Sequence, residues 1–255
     1  MKRVFTIGKY TFIDLFKSRI TLNVVLLGFV LCVVSYISYS FTYGVPEKVA
    51  LDVGLGLLSL SSVAVALFLG ASLLSNEIES RTVYVVLSRS VSRFQFLMGK
   101  IIGLGAILTL NILILCTFIF GLYCLLGGEL NSLLIWNILF TILEALLVMM
   151  ITVLLSLVTN RVVTVLVSIS LYVVGNAFNP KTMVGILDKS PGLEGIMDAI
   201  NWVLPNFYKL NLKDLVLYQQ DIDASYLLGT STYAIGYIIF LIASSLWIFK
   251  RKNLD

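Results

Sequence analysis

Residues 101–126 read IIGLGAILTLNILILCTFIFGLYCLL and contain no charged side chain. A helix needs about 20 apolar residues to cross the hydrocarbon core of a bilayer, so this run is long enough to span it. Lipid offers the backbone no hydrogen bonds, and a single spanning segment must therefore be helical. The stretch predicts a transmembrane helix, and similar stretches recur along the chain.

The composition of the whole chain is that of a polytopic membrane protein. Of its 255 residues, 59% are apolar and 13% are charged, whereas soluble domains average about 45–50% and about 25%. One small core cannot bury that much apolar surface. The chain also has no histidine, which excludes Ser–His and Cys–His nucleophile pairs and His-ligated zinc. We predict neither a catalytic site nor a metal site.

Six segments are long and apolar enough to be predicted as spans. They cover residues 21–43, 53–75, 101–126, 132–158, 162–179 and 228–249. With the N-terminus inside, 13 of the 18 Lys and Arg residues fall in inner segments, as the positive-inside rule requires. The sequence therefore predicts an all-α polytopic membrane protein with six transmembrane helices and both termini in the cytoplasm.

Residues 1–19 predict an additional helix that lies along the inner leaflet. Apolar residues fall on one side of its helical wheel and charged residues on the other: Val4, Phe5, Phe12, Leu15 and Phe16 against Lys2, Arg3, Lys9, Asp14 and Lys17. Ile7 and Tyr10 depart from this pattern. The alternative is a basic leader whose charges only fix the topology.

Between the last two spans, residues 180–226 form a predicted extracytoplasmic segment that is far longer than an ordinary connection. It contains the amphipathic runs Gly192–Leu204 and Phe207–Tyr218. We expect short helices that lie on the outer leaflet or dip into it.

The most polar inner segment is the loop over residues 76–100. Glu77 and Glu79 are expected to end the second span, and Thr82 can cap a short apolar helix over Val83–Leu87. Ser90 and Ser92 can then begin the helix of the third span. A short apolar helix outside the bilayer has no reason to contact lipid, so we expect it to bind in a groove of another protein.

This loop resembles that of the permeases of type-2 ABC exporters, which commonly read Glu-x-Glu-x-Gly-Thr, then Leu-Ser-x-Pro-Val-Ser-Arg, then Gly-Lys. The matching residues are Glu77, Glu79, Thr82, Leu87, Ser88, Val91, Ser92, Arg93, Gly99 and Lys100. Arg81 and Ser90 stand where the family usually has Gly and Pro. The outer segment is also similar, with Leu204–Phe207 and Leu210–Lys213 matching Leu-Pro-Asn-Phe and Leu-Asn-Leu-Lys.

The resemblance implies one permease domain over residues 1–255 in the cell membrane, forming half of a translocation pathway. The other half would come from a second permease, either the same chain or a sister chain. The chain has no G-x-x-x-x-G-K-[ST] motif, so ATP and Mg would be held by separate ABC ATPase subunits. No nucleic-acid partner is expected. The residues expected to contact the ATPase are Glu77, Glu79, Thr82, Val85, Val86, Leu87, Arg89 and Arg93.

Glu144 interrupts the fourth span near its middle. A carboxyl group at that depth is costly and is usually neutral or paired within the bundle. It predicts either a structural hydrogen bond to a neighbouring helix, through a Ser or Thr, or a proton or substrate path. The second possibility leaves open a different class of function, an ATP-independent secondary transporter or membrane enzyme that uses Glu144.

Overall fold

The structure is a computed structural model that describes residues 2–42, 45–79, 92–129, 131–177, 205–218 and 223–251. Within these ranges the chain is helical and contains no β-strand, which confirms the predicted all-α class. The α-helices are α1 (Lys2–Lys17), α2 (Arg19–Ser40), α3 (Pro46–Glu79), α4 (Arg93–Leu125), α5 (Ser132–Ser156), α6 (Arg161–Ala177), α7 (Lys213–Leu217) and α8 (Ala224–Arg251). A 3-10 helix covers Phe207–Leu210.

Five of the described helices are long and apolar enough to cross a membrane, namely α2, α3, α4, α5 and α8. The predicted fifth span corresponds to α6, a shorter apolar helix of 17 residues. It ends at Ala177, next to residues 178–204, which lie outside the described ranges. The number of six spans therefore stays a prediction.

The centre of the bundle is formed by α5. Within its most apolar stretch 67% of the residues are buried, against 22% for α8 and 28% for α2. It packs on α3, α4, α6 and α8. The contact with α3 is close, because a Cβ atom at Gly70 would lie 2.7 Å from Cβ of Thr152 and 2.9 Å from the carbonyl oxygen of Met149. The apolar surface left exposed by the outer helices suits contact with lipid.

The helix α1 packs along the first half of α4. At Gly99 a Cβ atom would lie 2.7 Å from Cβ of Ile7, and at Gly103 it would lie 2.7 Å from Cβ of Thr11 and 2.8 Å from the carbonyl oxygen of Gly8. Glycines four residues apart allow two helix backbones to approach closely. The pair at Gly99 and Gly103 is thus used within the chain.

The predicted two-sided pattern of α1 is incomplete. Gly8 and Thr11 are buried and Ile7 is half-buried against α4, whereas Phe5 remains 72% exposed and Phe16 49% exposed. The helix therefore has a third face of small and β-branched residues that contacts protein. This explains why Ile7 departs from the amphipathic pattern.

Candidate intramembrane polar site and coupling region

A hydrogen-bonded carboxyl group lies in the middle of α5. Glu144 is only 3% exposed. The Tyr172 hydroxyl of α6 donates to its Oε1 at 2.9 Å, and the Ser59 hydroxyl of α3 donates to its Oε2 at 3.5 Å. These three residues, the Glu144 cluster, join three helices at one point.

The cluster supplies hydrogen bonds but no opposite charge. Within the described ranges, both partners of Glu144 are hydroxyl groups. A charged carboxylate at this depth is expensive unless it is paired, and two hydroxyl donors replace only part of the lost water. Side-chain hydrogen bonds between helices in membranes average about 0.6 kcal/mol and reach about 1.7 kcal/mol. The arrangement therefore suits a contact that orients helices.

Tyr172 also connects this cluster to the outer segment. Its ring contacts the ring of Phe207, with centroids 5.1 Å apart. Phe207 is fully buried, and it approaches α6 where Gly175 leaves room, since a Cβ atom there would lie 2.6 Å from Cδ2 of Phe207. Ser59 confirms the expected Ser or Thr partner of Glu144, whereas Tyr172 was not predicted. The sequence feature that could have indicated this partner is a tyrosine inside an apolar span, away from the interfaces where tyrosine is enriched.

The described part of the outer segment packs onto the bundle. The backbone N–H of Asn206 donates to the Tyr233 hydroxyl of α8 at 3.1 Å. Leu210, Leu212 and Val216 are buried. The run Phe207–Tyr218 thus folds into a 3-10 helix and α7 that cover the ends of other helices. The run Gly192–Leu204 lies outside the described residues.

An ion pair joins this outer segment to α3. Lys213 Nζ lies 2.8 Å from Oδ1 of Asp52. The Lys213 side chain is 29% exposed and that of Asp52 is 41% exposed, so solvent screens the pair. Gly56, one helical turn after Asp52, leaves space for the lysine, whose Nζ would lie 3.0 Å from a Cβ atom there.

A second polar side chain that the sequence analysis missed is Asn111 in α4. It is 1% exposed, and neither its amide nitrogen nor its amide oxygen has a hydrogen-bond partner among the described residues. A buried amide without partners costs about 1–3 kcal/mol. The sequence feature that could have indicated this buried polar side chain is an asparagine in the middle of an apolar run.

The structure does not describe the side chains of most residues that are predicted to contact the ATPase. The helix α3 ends at Glu79, so Glu77 and Glu79 belong to its last turn, as expected. The side chains of residues 74–79 and all of residues 80–91 are not described. Five of the residues predicted to contact the ATPase fall within residues 80–91, namely Thr82, Val85, Val86, Leu87 and Arg89.

The end of this loop is described and begins with a helix cap. The Ser92 hydroxyl accepts from the N–H of Gln95 at 3.2 Å, and Oε1 of Gln95 accepts from the N–H of Ser92 at 3.3 Å. This reciprocal pair is a capping box, which satisfies two backbone donors at the helix start. Ser92 therefore caps the start of α4, as predicted. Gln95 was missed, although Ser-x-x-Gln is a recognised form of the signature.

Arg93 is the one predicted coupling residue whose side chain is described. Its Nη1 donates to the carbonyl oxygen of Lys250 at 3.2 Å. One turn later, the rings of Phe96 and Phe249 stack with centroids 6.3 Å apart. The structure therefore joins the end of the loop over residues 76–100 to the C-terminal end of α8.

Comparison with known proteins identifies the family. The family model for ABC-2 family transporter proteins matches residues 6–254. No curated protein matches the chain significantly. The match extends over nearly the full length, through all the described helices, the Glu144 cluster and the loop over residues 76–100. The chain belongs to the ABC-2 family of transporter proteins and is a multi-pass permease subunit of an ABC transporter in the plasma membrane.

Proposed function

We propose that this chain is the permease of an ABC exporter, forms half of its translocation pathway and is driven by separate ATPase subunits. The observation that carries this proposal is the family match over residues 6–254. The lack of a Walker A motif in the chain supports a separate ATPase. Those subunits hold ATP and Mg, and the mate is a second permease, either the same chain or a sister chain.

The whole chain acts as one permease domain with six spans. Residues 1–19 form the interfacial helix, residues 76–100 the coupling loop and residues 180–226 the extracytoplasmic segment. The contacts of α1 and of the end of α8 with the first half of α4 support placing both termini at one end of the bundle. The excess of Lys and Arg at that end favours the cytoplasm.

The coupling loop transmits the ATPase movement to two long helices. It connects α3, of 34 residues, to α4, of 33 residues. When the ATPases close, each pushes on the segment 82–93, and α3 and α4 move as rigid bodies. At its outer end α3 carries Asp52, which contacts Lys213. The movement can thus reach the outer segment without any unfolding of the bundle.

The experiment replaces the apolar residues expected to enter the ATPase groove. In a Val85→Asp/Val86→Asp variant, buried carboxylates disfavour docking, so the ATPase no longer co-purifies and ATP-driven transport is lost. Insertion into the membrane stays normal. A Val85→Ile/Val86→Ile variant keeps the apolar surface and serves as the matched control. Normal co-purification of the ATPase with the aspartate variant would contradict the role of this loop.

A further inference from the structure

A pocket opens between the start of α4 and the end of α8. Its volume is about 430 Å³, within the range of about 300–1,000 Å³ typical of small-molecule sites. Its lining residues are Ser92, Arg93, Phe94, Leu246, Trp247 and Lys250. None of these described lining residues is a carboxylate.

The walls of this pocket combine apolar rings with cations. Phe94 and Trp247 are each 57% exposed, so their rings face the surroundings of the bundle. The guanidinium of Arg251 lies 4.1 Å from the centroid of the Trp247 ring, which places a second exposed positive charge beside that of Lys250. Below them, the buried stack of Phe96 and Phe249 holds the two helices at a fixed spacing.

The location of the pocket indicates which molecule it meets. It lies where the apolar residues of α8 give way to Lys250 and Arg251, which is the boundary between hydrocarbon and headgroups. Aromatic rings at this level prefer the interface. Basic pockets between membrane helices on the cytoplasmic side attract anionic headgroups. Apolar walls below a group of cations therefore match a lipid that has acyl chains and a negatively charged phosphate.

We propose that this pocket binds an anionic phospholipid of the inner leaflet, with the phosphate at Lys250 and Arg251 and the upper acyl chain along Phe94, Leu246 and Trp247. A smaller cavity on another side of α4 shows the contrast. It is lined by Asp14 and Lys100 together, and a carboxylate in the lining disfavours an anionic headgroup. The lipid site needs only the proposed orientation and is independent of transport.

The test uses native mass spectrometry of the full chain after equilibration with equal amounts of phosphatidylglycerol and phosphatidylcholine. The wild type retains phosphatidylglycerol in preference. A Lys250→Gln/Arg251→Gln variant weakens that retention by about fivefold per charge removed, about 25-fold for the pair. The control, Lys9→Gln/Arg161→Gln, removes two exposed cations at the same predicted end, away from the pocket, and keeps the preference.

A second measurement needs no variant. Phosphatidylglycerol that carries a photoreactive acyl chain labels the wild-type peptides containing Phe94 and Trp247. Equal retention of phosphatidylcholine, an equal loss in the control, or labelling confined to other helices would each overturn the proposal. A Val85→Asp/Val86→Asp variant keeps its lipid preference, so failure of the coupling proposal and failure of the lipid site are distinguishable.

Discussion

Among single residues, Glu144 is the most informative, because a proton-coupled transporter and an ATP-driven exporter require different roles of its carboxyl group. A proton carrier needs a carboxyl group that ionises, whereas a helix contact needs only an acceptor for Tyr172 and Ser59. Both hydroxyls lie within hydrogen-bond distance of its oxygens. The family match favours the ATP-driven class, so the cluster is interpreted as a contact between α3, α5 and α6.

We predict that Glu144→Gln keeps ATP-driven transport, because the amide oxygen can still accept from Tyr172. Glu144→Leu removes the acceptor of two part-buried hydroxyl groups and lowers the free energy of unfolding by about 0.6–1.7 kcal/mol. Thermal unfolding in detergent and transport in vesicles measure the two effects. Loss of transport in Glu144→Gln, with normal stability, would instead identify a proton carrier.

For Asn111 we predict a substitution that raises the free energy of unfolding instead of lowering it. Its buried amide has no hydrogen-bond partner in the described part of the chain, so Asn111→Leu, which is similar in size, removes a desolvation cost and raises the free energy of unfolding by about 1 kcal/mol. The comparison of melting temperatures in the same detergent measures this gain. A lower melting temperature would mean that the amide is satisfied in the native membrane protein.

The ion pair between Lys213 and Asp52 contributes little stability on its own. Pairs that are partly exposed contribute about 0.2–1 kcal/mol and weaken as salt increases. A double-mutant cycle with Lys213→Gln and Asp52→Asn should therefore give a coupling energy of about 0.2–1 kcal/mol at low salt. Strictly additive effects of the two substitutions would show that the 2.8 Å contact makes no energetic contribution.

At the scale of elements, the crossing of α1 over α4 depends on the small residues between them. Gly103→Ala places a Cβ atom 2.7 Å from that of Thr11, and such overpacking costs about 1–3 kcal/mol. On the same helix, nothing lies within 4 Å of a Cβ atom at Gly121. Gly121→Ala is the matched control and stabilises the helix slightly.

Melting temperatures of these two variants measure the cost, and protease access to residues 2–17 reports whether α1 has separated from α4. Equal stability of both variants would contradict a close crossing.

The elements themselves were largely predictable from the sequence. Apolar runs predicted the helices to within a few residues for α2 and α5, since a bilayer imposes both length and composition. What the sequence did not show was which helices touch. The face of α1 that contacts α4 includes Ile7, Gly8 and Thr11. These residues can pack closely only because α4 has glycines opposite them. Tyr172 and Phe207 meet only because α6 and the outer segment are neighbours in space.

At the scale of the whole molecule, α3 links the loop at its C-terminal end to the core and to the outer segment. The coupling loop follows α3, Ser59 joins the middle of α3 to Glu144, and Asp52 joins its outer end to Lys213. Under the proposed function, a rigid movement of α3 acts on the core and on the outer segment together. We expect transport to fail when the loop loses its ATPase, even though the bundle remains folded.

Site-specific photo-crosslinking in native vesicles tests this account most directly. A photoreactive side chain at Val86 should capture an ABC ATPase, while the same group at Leu60, a mid-span position that is 69% exposed, should capture lipid alone. Capture of the ATPase at Val86 and its absence at Leu60 is the predicted result. If the photoreactive group at Val86 captures no nucleotide-hydrolysing protein, the account is contradicted.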